Sequence, residues 1–433
     1  MINRIVQPDL KTIEKVSINN FKTFYLDNTV PVYVADGVEE DLLRIEMRFP
    51  AGRWYEASAG QSHAVSALMK KGTKGKTALQ IAEAVEFYGA QLDTSSGNDT
   101  TSLSLYCLGK HLPHVLPIVA EILNDAVFPD DEIVLYKERK KQRFLINSQN
   151  TDFHAGRMFS EVLFGKQHPY GYSLQLSDID ELERSQVQKF YNEHYSIGNT
   201  KIFVSGNVKE EVIGMLNAEF GKYEKKKIPI AASDKSLHAG KEKEYYHELS
   251  QSVQSSVRIG CISIPKDHPD YPEVNVLNTV FGGYFGSRLM SNIREDKGFT
   301  YGIHSYIAHL DHASYFSIDM ETGNEVCKAA IAEVYKEMDL LRKMLIREDE
   351  LTTVKNYMLG SLLRATDGPF NRINVIRNIV LSGLDFSYFQ DLVKGIQTIT
   401  PERLRDLANI YLIPENMREV ICGNLSAVSI MEK

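Results

Sequence analysis

The sequence contains few of the features that mark membrane, secreted or nucleic-acid-binding proteins. No hydrophobic run in its 433 residues is long enough to span a bilayer, and the first ten residues lack the apolar core of a secretory signal. The net charge of −8 gives no electrostatic reason to expect nucleic acid or an anionic membrane as a partner. Basic clusters at 137–141 and 225–227 are expected to be solvated surface. We therefore expect a cytoplasmic protein that binds neither nucleic acid nor membrane.

Cysteine and the common catalytic signatures are also scarce. The four cysteines, Cys107, Cys261, Cys327 and Cys422, show no C-x-x-C spacing, which is typical of reduced thiols rather than disulfides or a metal knuckle. No G-x-S-x-G nucleophile elbow and no G-x-x-x-x-G-K-[ST] phosphate loop occurs. These absences argue against a serine hydrolase of that type and against a P-loop nucleotide enzyme.

The length and an internal repeat predict two similar domains. A chain of 433 residues, 43% hydrophobic and 24% charged, exceeds one ordinary core. Ile179, Leu182, Val187, Tyr195 and Gly206-Asn207 recur, about 216 residues later, as Ile396, Ile399, Leu404, Tyr411 and Gly423-Asn424. We predict domains at 1–222 and 245–433, joined by a linker at 223–244 that is rich in lysine, serine and alanine.

Apolar periodicity predicts an α+β fold in which each domain has a mostly antiparallel sheet covered on one face by helices. Residues 43–49 alternate between apolar and charged side chains, the pattern of a strand with one wet face. Thr77, Ser185 and Thr400 are predicted helix N-caps, and Gly89 ends the helix that follows Thr77. Further helices are predicted over 112–126, 130–146, 153–164, 274–281 and 324–345, and further strands over 101–108 and around 257–261.

A histidine at the start of one apolar helix belongs to a longer set of motif residues. His63 lies in the segment GQSHAVSA at 60–67 and, taken alone, is typical of a histidine beside the core. The residues in its frame are Gly52, Glu56, Gly60, His63, Gly72-Thr73, Gly89-Ala90 and Phe128-Pro129. Together they resemble the N-terminal half of the pitrilysin/insulinase family of zinc peptidases, which includes the mitochondrial processing peptidases. The fold that this resemblance implies agrees with the two α+β halves.

The resemblance places the family's metal site on residues that are unable to hold a metal. In H-x-x-E-H, two histidines on one helix face ligate zinc and the glutamate activates water. Here His63 is a remnant, Ser66 stands at the glutamate position and Ala67 at the second histidine. The family's third ligand falls near Arg143, whose guanidinium has no free lone pair, and the nearest carboxylate, Glu138, is out of frame. We predict that this chain binds no metal and cuts no peptide bond by itself.

A second stretch resembles the C-terminal half of the same family. It reads FGGYFGSRL at 281–289 and IREDKGFTY at 293–301. In the family, an arginine and a tyrosine seven positions later face the zinc across the cleft. Arg294 and Tyr301 match that spacing, and the resemblance implies substrate binding by them and by Gly282 and Gly283. A guanidinium and a phenol can both donate hydrogen bonds to a peptide carbonyl as charge develops on it. Alternatively, Arg294 caps a helix C-terminus and Tyr301 packs at a strand start.

Two other groups of histidines are candidate metal ligands. The first group is His304, His309 and His312, and the second is His111 and His114. The first group is poorly spaced, because His304 is predicted on a strand whereas His309 and His312 are predicted in a hairpin loop. The second group lacks a carboxylate at a familiar offset. We expect both groups to be surface residues.

These observations predict a non-catalytic, peptide-binding subunit of a heteromeric zinc metallopeptidase. This chain would bind no cofactor, and a zinc-bearing homologous partner would receive Arg294 and Tyr301. Peptide is the expected ligand because sheet edges can pair with an extended main chain. Two alternatives remain open at this point: a structural scaffold subunit without a role in proteolysis, and an active peptidase with an unfamiliar metal site.

Overall fold

A computed structural model describes residues 13, 15–18, 21–229 and 235–429, which form two sheets flanked by helices. The first six strands are β1 (Phe21–Tyr25), β2 (Pro31–Asp36), β3 (Leu42–Phe49), β4 (Gln91–Ser96), β5 (Thr101–Leu108) and β6 (Lys201–Gly206). They form one sheet in the order β1-β2-β6-β3-β5-β4, in which only β2 and β6 pair in parallel. The edge strands of this sheet are therefore β1 and β4.

The helices of this half are α1 (Gln61–Leu68), α2 (Ala78–Glu86), α3 (Leu112–Asp125), α4 (Asp130–Asn147), α5 (Thr151–Phe164), α6 (Leu176–Glu181), α7 (Arg184–His194) and α8 (Glu210–Phe220). Thr77 caps α2 through a capping box with Gln80, as predicted, and Gly89 follows the helix at φ +62°. The predicted cap Ser185 is wrong. Glu183 is the N-cap of α7, and the Ser185 hydroxyl donates instead to the Glu183 carboxylate.

The second half repeats this architecture. Its strands are β7 (Glu244–Glu248), β8 (Gln254–Ile262), β9 (Thr300–His309), β10 (Ser314–Gly323) and β11 (Arg418–Gly423), in the order β7-β11-β8-β10-β9 with β7 and β11 parallel. Its helices are α9 (Tyr271–Asn278), α10 (Cys327–Lys343), α11 (Glu348–Thr366), α12 (Gly368–Leu381), α13 (Ser387–Thr398), α14 (Pro401–Tyr411) and α15 (Leu425–Ser429). The predicted α+β class with mostly antiparallel sheets is confirmed.

Two predicted helix ends in this half can be compared with the structure. The helix predicted over 274–281 begins three residues earlier, as α9, and continues as π-helical backbone over Thr279–Gly283. Thr400 is the cap of α14, as predicted. The predicted linker overlaps β7 at Glu244, and its residues 230–234 lie outside the described residues. Among the described residues no helix has both the length and the apolarity to cross a membrane, and the cytoplasmic location stays a prediction.

The two halves exchange a helix. On one face of each sheet lies that half's own core of buried aliphatic and aromatic side chains. The other face is covered by a helix from the opposite half: α12 packs on β2 and β6, and α5 packs on β8 and β11. Ile373, Ile376 and Val380 of α12 are buried with Ala35 and Phe203 of the first sheet.

The α5 contact is equivalent. Ala155, Phe159 and Val162 of α5 are buried with Val420 and Cys422 of β11. A short connection joins α5 to the end of α4, and another joins α12 to the end of α11. The two exchanged helices lie at equivalent positions in the internal repeat. Each sheet therefore depends on the opposite half for the cover of its second face.

The prediction that one face of β3 is exposed to solvent is wrong, because α12 of the other half covers that face. Glu46 is only 2% exposed because α12 covers it, and its carboxylate binds Arg44, Arg48 and Arg377. Arg377 Nη1 of α12 lies 2.9 Å from Glu46 Oε2. Burial alone would raise the pKa of Glu46, but Arg48, Arg377 and Arg44 outweigh it and lower that pKa.

The second exchange interface uses the same chemistry with the charges reversed. Arg258 of β8 pairs with Asp152 of α5 and with Asp319 of the neighbouring strand β10. The Thr151 and Ser256 hydroxyls lie 2.7 Å apart beside this pair. A charged side chain on each sheet is thus neutralised by the helix that arrives from the other half.

A loop contact also joins the halves. The Asp311 backbone N–H, in the turn between β9 and β10, donates to Asp99 Oδ2 at 3.1 Å, and the Tyr170 hydroxyl donates to Asp99 Oδ1. His312 stacks on Trp54 with ring centroids 3.8 Å apart. Asp311 keeps contact with solvent, yet the surrounding protein removes hydration and Asp99 adds repulsion, which together raise the pKa of Asp311 to about 6.

We predict that Ile376→Ala weakens both halves at once. Ile376 is fully buried against the first sheet, so its truncation should cost about 2–5 kcal/mol of unfolding free energy. Urea unfolding measures the loss, and hydrogen exchange should show reduced protection in β2 and β6 as well as in α12. Ile410→Ala, at a position 51% exposed, is the control and should change stability by less than about 0.5 kcal/mol. Loss of protection confined to the second half would contradict the exchange.

We predict that Asp311→Asn stabilises the protein at neutral pH. Because the pKa of Asp311 is raised in the folded state, its ionised form opposes folding above about pH 6, and this cost disappears as the pH falls towards 4. The melting temperature of the variant should exceed that of the wild type by roughly 1 °C at pH 7.5, and the difference should vanish at pH 4. Asp296→Asn, at an exposed site of the same half, serves as the control. An unchanged or lower melting temperature at pH 7.5 would refute the prediction.

Candidate functional site

Helix α1 is anchored at its N-terminus by a carboxylate. Gly60 takes φ +89° at the N-cap, and Glu56 Oε2 accepts the Gly60 N–H at 3.1 Å while Oε1 accepts the Ser62 N–H at 2.8 Å and its hydroxyl at 2.7 Å. Burial raises the pKa of Glu56, although these hydrogen bonds and Arg53 oppose the shift. These contacts fix the first turn of α1, which carries His63.

His63 faces helix α4. Its Nδ1 lies 2.9 Å from the Tyr136 hydroxyl. The ring is reached by solvent but lies in a recess, so loss of hydration, followed by the charges of Lys140 and Arg143, lowers the pKa of His63 to about 4. His63 is therefore a neutral imidazole at pH 7.

The predicted ligand positions come together in one pocket between α1 and α4, of about 190 Å³. The lining residues are His63, Ala67, Leu68, Lys71, Glu132, Leu135, Tyr136, Arg139, Lys140 and Arg143. His63, Ala67 and Arg143, the three positions predicted to correspond to the family's ligands, are all among them. Ser66 is buried instead, and its carbonyl accepts a hydrogen bond from Thr94 Oγ1 of β4 at 2.6 Å. Glu138 is exposed and lies outside the pocket lining.

The residues present do not fit a zinc ion. The pocket offers the His63 imidazole and the Glu132 carboxylate, whereas catalytic zinc needs three protein ligands. Four cationic side chains share the pocket, and their charge repels a divalent cation. Across the described residues no group of three or more His, Cys, Asp or Glu side chains could hold a metal.

The cations of this pocket are candidate site residues that the sequence patterns did not single out. Lys140 was expected to be solvated surface, and that expectation is wrong, because Lys140 is half-buried in the pocket wall and burial, together with Arg143, lowers its pKa. Helical spacing was the available signal. Positions 132, 136, 139, 140 and 143 share one face of α4.

Arg294 and Tyr301 lie beside the edge of the second sheet. Arg294 is in the last turn of a π-helical segment, Met290–Asp296, and its guanidinium is 4.8 Å from the centroid of the Phe285 ring. Tyr301 is the second residue of the edge strand β9 and is 91% exposed, so it does not pack at the strand start. Phe285 is also exposed. A half-buried arginine, an exposed tyrosine and an exposed phenylalanine thus accompany two π-helical segments, which are frequent at functional sites.

The two glycines of this stretch differ. Gly282 is buried, and a Cβ there would lie 2.6 Å from Ser305 Oγ and 2.8 Å from Ser305 N on β9. Gly282 therefore permits close packing of the turn on that strand. Gly283 is exposed, and of the pair it alone reaches the surface.

The histidines of the two other candidate groups lie outside the lining of the pocket between α1 and α4. His304 is on β9 with its Nε2 3.8 Å from Asp319 Oδ2, whereas His312 stacks on Trp54. The prediction that His309 lies in a loop is wrong, because it is the last residue of β9 and its Nδ1 is 2.8 Å from Ser314 Oγ. His111 and His114 contact the Tyr88 ring.

Comparison with known proteins matches both halves to one family. Residues 38–164 match the model "Insulinase (Peptidase family M16)", and residues 181–358 match "Peptidase M16 inactive domain". The uncharacterized zinc protease YmxG of Bacillus subtilis is 23% identical over 81% of this chain and 85% of its own length. An uncharacterized zinc protease of Rickettsia felis is 24% identical over 80% and 84%.

Two crystal structures share the fold. A peptidase M16 inactive domain from Pseudomonas fluorescens superimposes with a TM-score of 0.84 at 24% identity, covering 94% of this chain and 98% of that one. A protease from Helicobacter pylori gives a TM-score of 0.83 at 17% identity, covering 93% and 99%.

We predict that two substitutions restore a zinc site. Ala67→His with Arg143→Glu supplies the missing donors beside His63, so the double variant should bind about one zinc per chain while the wild type binds none. Metal analysis after dialysis and calorimetry measure the uptake. Ala67→His with Gln142→Glu is the control, since its carboxylate is turned about 100° around α4. Equal zinc uptake by the two double variants would refute the assigned frame.

Proposed function

Because this chain belongs to peptidase family M16, we propose that it is a non-catalytic, peptide-binding subunit of a two-chain zinc metallopeptidase. The observation that carries the proposal is the pocket between α1 and α4. Its residues stand where the family holds zinc, yet one imidazole is surrounded by four cations. A chain with this pocket needs a zinc-bearing homologous partner for hydrolysis.

Two exposed sheet edges support peptide as the ligand. Strand β4 ends the first sheet next to α1, and β9 ends the second sheet next to Arg294. An edge strand presents unpaired backbone N–H and C=O groups that an extended peptide can join as a further strand. The side chains of β4 are mostly polar and place little steric restriction on such pairing.

Arg294 and Tyr301 would act on the scissile peptide held by the partner's zinc. Neither side chain is tied into a buried network, and both can donate a hydrogen bond to a carbonyl oxygen. Such donors lower the barrier when they are aimed at the oxygen that becomes negative in the transition state. In this arrangement the partner supplies metal and general base, and this chain supplies two donors.

The test is a reconstituted assay with a zinc-bearing M16 chain from the same cell. Arg294→Ala and Tyr301→Phe in this chain should each lower kcat/KM by about 10–1,000-fold, because each removes a donor to developing charge. Assembly, followed by size-exclusion chromatography, and the zinc content should not change. Arg347→Ala removes an exposed arginine elsewhere in the same half and should leave the kinetics unchanged.

Unchanged kinetics in both variants would remove these residues from the mechanism. Full activity of the zinc-bearing chain without this one would favour the structural-subunit alternative.

A further inference from the structure

The pocket between α1 and α4 concentrates positive charge that the described residues leave without partners. Arg139, Lys140 and Arg143 extend from one face of α4, and Lys71, just beyond α1, completes the set. Within the described residues none of these four forms an ion pair or a side-chain hydrogen bond. Glu132 is the one carboxylate in the lining. Like charges that line one small pocket repel one another, and a bound anion would offset this repulsion.

The opposite face of the same helix shows the contrast. Lys137 Nζ donates to the Asp180 carbonyl at 2.8 Å, and Lys141 pairs with the Asp180 carboxylate. Basic side chains on that face are therefore satisfied by α6. Within the described residues, the basic side chains of α4 that face the pocket have no comparable partner.

The size and walls of the pocket limit what it can hold. A volume of about 190 Å³ is below the roughly 300–1,000 Å³ typical of nucleotide- or drug-sized ligands, so a small group or a single residue fits. Leu68, Leu135 and Ala67 supply an apolar wall. A guanidinium group binds a carboxylate through paired hydrogen bonds, which suits Arg143, and Lys140 in the same lining adds an ammonium charge.

We propose that this pocket is a carboxylate-binding site, in which Arg143 and Lys140 hold the anion. The identity of its source rests on the proposed function: the carboxylate belongs to a peptide. Helix α1 is joined to the edge strand β4, since Ser96 Oγ lies 2.9 Å from Ser62 Oγ and Thr94 bonds the Ser66 carbonyl. A peptide paired with β4 therefore lies beside the pocket and can place its C-terminus or an acidic side chain there.

Two pairs of labelled peptides distinguish the sources. In the first pair an acetylated peptide ends in a free carboxylate or in an amide, and in the second an amidated peptide carries an internal Glu or Gln. Fluorescence anisotropy with the full chain should show about tenfold tighter binding of the carboxylate member of one pair. Lys140→Gln with Arg143→Gln should abolish that preference. Lys137→Gln with Lys141→Gln, the same charge change on the other face of α4, should retain it.

An independent measurement does not require peptide binding. The imidazole resonances of His63 should shift on addition of acetate, and the shift should be lost in Lys140→Gln with Arg143→Gln.

If the peptides bind without preference and acetate leaves His63 unchanged, the carboxylate site is refuted while peptide binding stands. If no peptide binds but acetate shifts His63 in the wild type alone, the site stands and the proposed peptide-binding function fails.

Discussion

The exchange of α5 and α12 between the two sheets is the constraint on which the rest of the structure depends. Each helix buries its apolar side chains on a sheet built by the opposite half of the chain. Fully burying a side chain such as Ile376 contributes about 1.5–3 kcal/mol, and several such residues lie on each helix. In the part of the chain that the structure describes, neither sheet has both of its faces covered by its own half.

Charge makes the exchange specific. Glu46 is buried and is tolerated because three guanidinium groups surround it, one of which, Arg377, arrives on α12. In the second sheet the charges are reversed, because the cation Arg258 pairs with the carboxylate of Asp152 on α5. Removal of one partner from such a cluster leaves a charge buried without compensation, which is more costly than the loss of an exposed ion pair. The two halves are thereby held in one arrangement, and so are β4 and β9 at the sheet edges.

The pocket between α1 and α4 differs from a metal site in the chemistry of its side chains. The two helices bring positions 63, 67 and 143 together. Of the imidazole, methyl group and guanidinium at these positions, only the imidazole offers a lone pair to a metal. With Lys71, Arg139 and Lys140 added, the electrostatic preference of the pocket is for an anion.

The elements that local sequence patterns predicted lie close to their observed positions, and two of the errors arose where a distant segment intervened. The alternation over 43–49 identified β3 and its core-facing side chains, but the supposed wet face is covered by α12, more than 300 residues later in the chain. Helical spacing places Lys140 on one face of α4 with Arg139 and Arg143, but whether this face forms a pocket wall depends on α1, which supplies the second wall. Ser185 failed as a cap because Glu183, two residues earlier, supplies the same kind of acceptor oxygen.

The sequence by itself determined which donor atoms stand at His63, Ser66, Ala67 and Arg143, since donor atoms depend on residue type alone. It also determined the periodicity of the strands and helices, which is a local property. The tertiary structure decided which helix covers which sheet, that Glu46 is buried, and that four cations meet in one pocket. The physical reason is that burial and electrostatic fields arise from segments that are far apart in the chain and close together only after folding.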